Sequence, residues 1–190
     1  MKNANGVIHK TLTCFLIKIV GVRLHPRFYG VYYMRIKTYI SEDFVNYKKP
    51  SMFIGTCFCD WKCDKDADCK VCQNSSHYDT AILNVADEAF KQAYDANPLT
   101  CAIVFGGYEP FCQYEELLAF IDFFRTFHDD DIVIYTGYNK DEIAEKICAL
   151  QKYPNIIIKF GRFIPNQPKH YDDVLGVYLA SDNQYAEKIS

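Results

Sequence analysis

Four stretches of this chain are nearly continuous apolar runs, and helical patterns separate most of them. The runs are "SMFIGTC" (51–57), "LTCAIVFGG" (99–107), "DIVIYTGY" (131–138) and "NIIIKFGRF" (155–163). Short apolar runs without alternation are the mark of strands buried on both faces. In "HYDTAILNVADEAFKQAYDAN" (77–97), Ile82, Val85, Ala89 and Ala93 recur at helical spacing and Pro98 ends the pattern. "QYEELLAFIDFFRTFH" (113–128) carries Leu117, Phe120, Ile121 and Phe124 on one helical face. "NKDEIAEKICALQKY" (139–153) is a further helix with Asn139 as its N-cap. Such alternation predicts an α/β fold with a parallel sheet covered by helices, and 190 residues suit one domain with its own core.

Parallel sheets bind ligands beyond the carboxyl ends of their strands. Three unusual features fall there. A cysteine-rich segment follows the first run, paired glycines end the second, and "TGY" ends the third. The segment "GTCFCDWKCDKDADCKVCQN" (55–74) holds Cys57, Cys59, Cys63, Cys69 and Cys72, five of nine cysteines in the chain. An odd count gathered in one cluster reads as metal binding in a reducing compartment rather than as a disulfide scaffold. Thiolates select zinc or iron–sulfur clusters, and on softness and spacing the two stand level. The charged "DKDAD" (64–68) reads as a loop. Cys14, Cys101, Cys112 and Cys148 have mostly apolar neighbours and read as buried structural thiols.

"IVFGGYEPF" (103–111) shifts the balance. Paired glycines let a ligand approach the backbone, although glycine and proline also punctuate ordinary turns. With a thiolate cluster one strand earlier, a ligand site is the better reading.

At these residues the chain resembles the radical S-adenosylmethionine superfamily, and most of all the small activating proteins of anaerobic ribonucleotide reductase. That superfamily carries CxxxCxxC after a first strand and GGEP after a second. Here "GGYEP" (106–110), "YTGY" (135–138), "GRFI" (161–164) and "SDNQ" (181–184) follow in the family's order. The resemblance implies a partial (β/α) barrel-like sheet, a reduced form of the radical S-adenosylmethionine core. It implies that Cys59, Cys63 and Cys72 hold a [4Fe–4S] cluster with one open iron. Val71, Gln73, Gly106, Gly107, Glu109, Thr136 and Gly137 would contact S-adenosylmethionine. The implied activity is reductive cleavage to a 5′-deoxyadenosyl radical, with a large glycyl radical enzyme as partner and a flavodoxin or ferredoxin as electron donor.

The motif also departs from the family. Eight residues, Asp64 to Val71, separate the second and third assigned cysteines instead of two. Cys69 is the main rival ligand and Cys57 a weaker one. Val71 stands where an aromatic is usual, and Tyr108 is inserted before Glu109. Two other readings stay open: a non-enzymatic zinc or iron–sulfur module, and a small-molecule enzyme of the 7-carboxy-7-deazaguanine synthase type.

The net charge of −3 offers no basic excess for nucleic acid or an anionic membrane. "TCFLIKIVGV" (13–22) falls short of the roughly 20 apolar residues a spanning helix needs. The regular pattern begins at Met34, which is read as the natural start, with residues 1–33 as an extension and 34–190 as the single-cluster domain. A cytoplasmic location is expected from the cysteine usage.

Overall fold

The structure, a computed structural model, describes residues 32–190. The reading of residues 1–33 as an extension falls almost wholly outside the described residues. The described strands are β1 (Tyr33–Asp43), β2 (Ser51–Thr56), β3 (Leu83–Ala86), β4 (Ala102–Gly107), β5 (Asp131–Tyr135), β6 (Ile156–Phe160), β7 (His170–Asp172), β8 (Val177–Leu179) and β9 (Tyr185–Lys188). The α-helices are α1 (Lys62–Ala67), α2 (Asp87–Asp95), α3 (Tyr114–Phe124) and α4 (Ala144–Leu150).

Seven strands form one sheet in the order β3-β1-β2-β4-β5-β6-β9. The central four, β2, β4, β5 and β6, are parallel, and they are the four apolar runs of the sequence. They stand in chain order with no reversal, so their carboxyl ends form one continuous rim. β1 and β3 on one side, and β9 on the other, add antiparallel edges. The arrangement is mixed α/β, and among the described residues no strand pairing closes a barrel.

One face of the sheet packs on the helices. Phe90 and Tyr94 of α2, the predicted Leu117, Phe120, Ile121 and Phe124 of α3, and Ile147 and Leu150 of α4 meet Ile54, Ile103, Phe105, Ile132 and Ile158. The opposite face, with Ala102, Val104, Val133 and Ile157, is covered not by helices but by Tyr47, Leu175 and Leu179. The expectation of helical cover therefore holds for one face.

The helix expected over 77–97 is shorter. A 3₁₀ turn occupies Ser75–His77, and Leu83–Ala86 is β3, paired with the edge of β1 from Tyr33↔Ala86 to Ile36↔Leu83. Only Asp87–Asp95 is α-helical. The physical reason is local: Leu83, Asn84 and Val85 alternate as a strand does, and β1 offers an open ladder. Ile82 accordingly lies outside the core and is exposed. The "DKDAD" stretch is also corrected. Its first four residues lie in α1, a six-residue helix that buries none of its side chains and so shows no apolar period.

Candidate functional site

The rim above β2, β4, β5 and β6 encloses a cavity of about 340 Å³. Cys59, Cys63 and Cys72 line it, although they come from three different local structures.

Cys59 lies in the loop leaving β2, where its sulfur accepts from the Trp61 backbone amide at 3.3 Å. Trp61 takes a left-handed conformation, φ 59°, and starts α1, which carries Cys63. Asp68, φ 51°, ends α1 in the same left-handed conformation. The chain then doubles back. The Asp64 carboxylate accepts from the backbone amides of Val71 and Cys72, each at 2.8 Å. One helical turn, one left-handed cap and one aspartate therefore return Cys72 to the wall that Cys59 and Cys63 occupy. The eight-residue gap between Cys63 and Cys72 is this excursion.

The two rival cysteines face elsewhere. Cys57 is buried toward Gln113, whose side-chain oxygen accepts from the Cys57 amide at 2.9 Å and lies 3.5 Å from its sulfur. Cys69 is exposed and does not line the cavity. All eight described cysteines are free thiols. Cys101, Cys112 and Cys148 are exposed, which corrects the expectation of burial: Cys101 directly precedes β4, Cys112 lies in the 3₁₀ turn Pro110–Gln113, and Cys148 is in α4 beside the buried Ile147. Cys14 lies outside the described residues. Burial pushes the thiols up: Cys59 to about 12, Cys57 to about 11, and Cys63 and Cys72 in the same direction. The three cavity thiols are thus neutral at pH 7 until a cation draws off their protons. Among the described residues no three His, Cys, Asp or Glu side chains are grouped to hold a single metal ion.

The floor is built by the loops after β4 and β5. Gly107 has φ +78°, and a side chain there would come within 3.0 Å of the Gly55 backbone. A side chain at Gly106 would meet the Phe53 ring at 2.9 Å. Gly107 is therefore required by its left-handed backbone and its approach to Gly55, while a side chain at Gly106 would have to displace the Phe53 ring. Asn74, just past Cys72, donates its side-chain amide to the Gly107 carbonyl and ties the cysteine segment to this floor.

Glu109 joins the two floor loops. Its carboxylate accepts from Thr136 Oγ1 at 2.8 Å, the Gly137 amide at 2.8 Å and the Phe111 amide at 3.1 Å. Burial raises its pKa, and these three donors oppose the rise. The Tyr108 insertion leaves that clamp intact, with the Tyr108 ring packed edge-on against Trp61 at 5.2 Å between centroids. Gly137 runs beside Cys63, because a side chain there would sit 3.4 Å from the Cys63 sulfur.

The roof is α1, and charge anchors it. Arg162 donates to both carboxylate oxygens of Glu142, at 2.6 and 2.7 Å, and Lys62 pairs with the same carboxylate. Arg162 Nε lies 2.8 Å from Asp66, but without the alignment of a hydrogen bond, so this contact is an ion pair only. Glu142 also accepts from the Asn139 amide at 2.8 Å, as a capping residue does.

Of the residues the resemblance singled out, Cys59, Cys63, Cys72, Gln73, Gly106, Gly107, Glu109, Thr136 and Gly137 line this cavity. Val71 does not, and contributes its backbone amide to the Asp64 turn. Lys159 of β6 also lines the cavity and was not foreseen. Its signal was a lone charge inside the apolar run "NIIIKF". Lys159 is buried, and burial lowers its pKa to about 8 while Cys63 and Glu109 oppose the fall.

The family described as "4Fe-4S single cluster domain" matches residues 54–184, more than half of the chain and most of the residues that line the cavity. No curated protein and no solved structure matches.

Proposed function

Because this chain belongs to the 4Fe-4S single cluster domain family, we propose that its cavity holds a [4Fe–4S] cluster on Cys59, Cys63 and Cys72 and that it is a radical S-adenosylmethionine enzyme. The observation that carries this reading is the number of thiols on the cavity wall. Three line it, Cys57 and Cys69 face away, and a structural zinc site takes four closed ligands. Three thiolates suit a cluster that keeps one iron open to a second ligand. What supports the fit is the donor set, three thiols lining one cavity, although among the described residues their side chains are not grouped as for a single metal ion. The thiols face one space, and that space extends over the backbone of Gly106 and Gly107 far enough to admit a small molecule.

When bound, S-adenosylmethionine and the reduced cluster supply a 5′-deoxyadenosyl radical, and that chemistry belongs to the cofactors. The chain's own contribution is placement. Asp64 holds the Cys72 amide and so keeps Cys72 among the residues that line the cavity with Cys59 and Cys63. Glu109 holds Thr136 and the Gly137 amide on the cavity wall, where the adenosyl part of the ligand would lie. The ion pairs of Lys62 and Asp66 fix α1, and with it Cys63, against Glu142 and Arg162.

The substrate we favour is a glycyl radical enzyme such as anaerobic ribonucleotide reductase, with a flavodoxin or ferredoxin as electron source, in a reducing cytoplasm. "YTGY" and "SDNQ" support this branch over a small-molecule enzyme. "YTGY" contributes Tyr135, Thr136 and Gly137 to the cavity, and "SDNQ" contributes Gln184. The strand order, with four parallel strands in chain sequence, supports the partial-barrel core of that superfamily. Among the described residues no helix is long and apolar enough to cross a membrane.

The test is anaerobic. The protein is loaded with iron and sulfide, reduced with dithionite and given S-adenosylmethionine. Formation of 5′-deoxyadenosine is expected. Retention of zinc alone, with no 5′-deoxyadenosine, refutes the reading.

A further inference from the structure

We propose that Tyr108 tunes the iron–sulfur cluster: its hydroxyl donates a hydrogen bond to the Cys72 sulfur once Cys72 binds as a thiolate, and so favours the reduced state. The proposal rests on the functional reading above, and it makes Tyr108 a positioning residue that acts through Cys72. Three observations carry it. First, Tyr108 is 7% exposed, and its hydroxyl is buried with no hydrogen-bond partner. A buried donor without an acceptor costs stability, so a group that accepts from it is expected in the loaded protein. Second, Tyr108 stands between the two segments that bring in Cys59 and Cys72. Trp61, two residues past Cys59, packs edge-on against its ring. Asn74, two residues past Cys72, donates to the carbonyl of Gly107, the residue before Tyr108. Tyr108 lines the cavity with both cysteines. Burial first, then the Cys72 and Cys59 thiols, raise its pKa, so both lie within electrostatic reach of its oxygen, Cys72 foremost. Third, the ring is held from two sides. Trp61 lies 5.2 Å away between centroids, and Lys37 Nζ lies 5.0 Å from the ring centroid. The carbonyls of His77 and Tyr78 fix that ammonium in turn.

The chemistry of the acceptor explains why the hydroxyl waits for a metal. A thiol sulfur accepts weakly, whereas a thiolate carries charge and accepts well. Hydrogen bonds to sulfur are among the levers that set an iron–sulfur potential. Reduction adds negative charge, so a donor at a ligand sulfur favours the reduced state and raises the potential. Tyr108 is the residue inserted between Gly107 and Glu109, so the donor belongs to this chain and not to the GGEP pattern. The competing role is packing alone, in which the ring fills the space between Trp61 and Lys37 and the hydroxyl does nothing for the cluster.

Reduction potentials separate the two. The iron–sulfur-loaded wild type, Tyr108→Phe and Tyr78→Phe are titrated anaerobically, with the reduced cluster followed by electron paramagnetic resonance. Tyr108→Phe keeps the ring and removes only the hydroxyl. Tyr78 is the control, since it packs near the same Trp61 ring but is exposed. In Tyr108→Phe the reduction equilibrium should shift roughly threefold to tenfold toward the oxidised state, a potential about 28 to 59 mV lower for one electron. Tyr78→Phe should shift by less than half as much. In the metal-free protein Tyr108→Phe should melt at or above the wild-type temperature, because it deletes a donor that has no partner there. That melt also shows that the variant folds. A shift below threefold, a rise in potential, or a shift in Tyr78→Phe of half the size or more overturns the proposal while the functional reading stands. A metal-free Tyr108→Phe that melts below wild type shows that the hydroxyl is already satisfied without the cluster, and also overturns it. If the wild type takes up no iron–sulfur cluster, the functional reading itself falls and takes this proposal with it.

Discussion

Asp87 opens α2 with its carboxyl group 2% exposed as a residue and Oδ1 without a partner. Burial, and then the nearby Glu116, raise its pKa from the ordinary 3.8 to about 7. Asp87→Asn keeps the shape and removes the charge. The native state binds the proton more tightly than the unfolded chain does, so between pH 3.8 and 7 stability falls as pH rises. The full cost is present above pH 7 and absent below pH 3.8. A difference of about 3 pH units at 1.36 kcal/mol each is about 4 kcal/mol. The positive end of α2 gives back about 0.3–1 kcal/mol to an anion at this position, so burial wins and about 3 kcal/mol remains. Urea unfolding of the metal-free protein under reducing conditions measures this. With a slope near 2 kcal/mol/M, Asp87→Asn should raise the midpoint by about 1.5 M at pH 8. At pH 4.5 the gain should shrink to about 1 kcal/mol or less. An offset equal at both pH values, or a variant less stable than wild type at pH 8, would show that Asp87 is not charged against its burial.

Two further predictions concern the cavity. Cys59→Ala, Cys63→Ala and Cys72→Ala should each lose the loaded iron and its visible absorbance, while Cys57→Ala and Cys69→Ala keep both; loss at Cys69 with retention at Cys72 would reverse the ligand assignment. Glu109→Gln replaces an acceptor with a donor opposite the Gly137 or Thr136 donor, and should lower stability by about 1–3 kcal/mol. For a chain of this size that is roughly 3–10 °C in a thermal melt, and an unchanged melt would mean that the carboxylate does not hold the two loops together.

The central sheet was legible because its strands are buried on both faces and therefore read as unbroken apolar runs. β1 was not. Its residues alternate irregularly between buried and exposed, with register shifts between Ile36 and Thr38 and between Ile40 and Asp43, so no clean period of two survives. β3 was hidden by its length, four residues running straight into a helix. The cavity lining was foreseen at the three cysteines, the paired glycines, Glu109, Thr136 and Gly137. What spacing could not reveal was how Cys72 returns, since that depends on where one carboxylate, Asp64, finds two amides. Cys101, Cys112 and Cys148 misled for a related reason: apolar neighbours in sequence do not say which side of a strand end or helix a thiol occupies. Lys159 stands in the sequence as a lone charge in an apolar run, and only the fold places it, buried, among the residues that line the cavity.

The Glu109 clamp has a consequence for how tightly any ligand is held. Because one buried carboxylate fastens the turns after β4 and β5 to each other, the lower half of the cavity is preorganised. A ligand settling there orders little of the protein and keeps more of its contact energy as affinity. The upper half differs in kind, since α1 is held through partly exposed ion pairs that ions in solution screen. Moderate salt should therefore loosen access to the site without disturbing its base, raising the rates of entry and exit together while the equilibrium constant changes little.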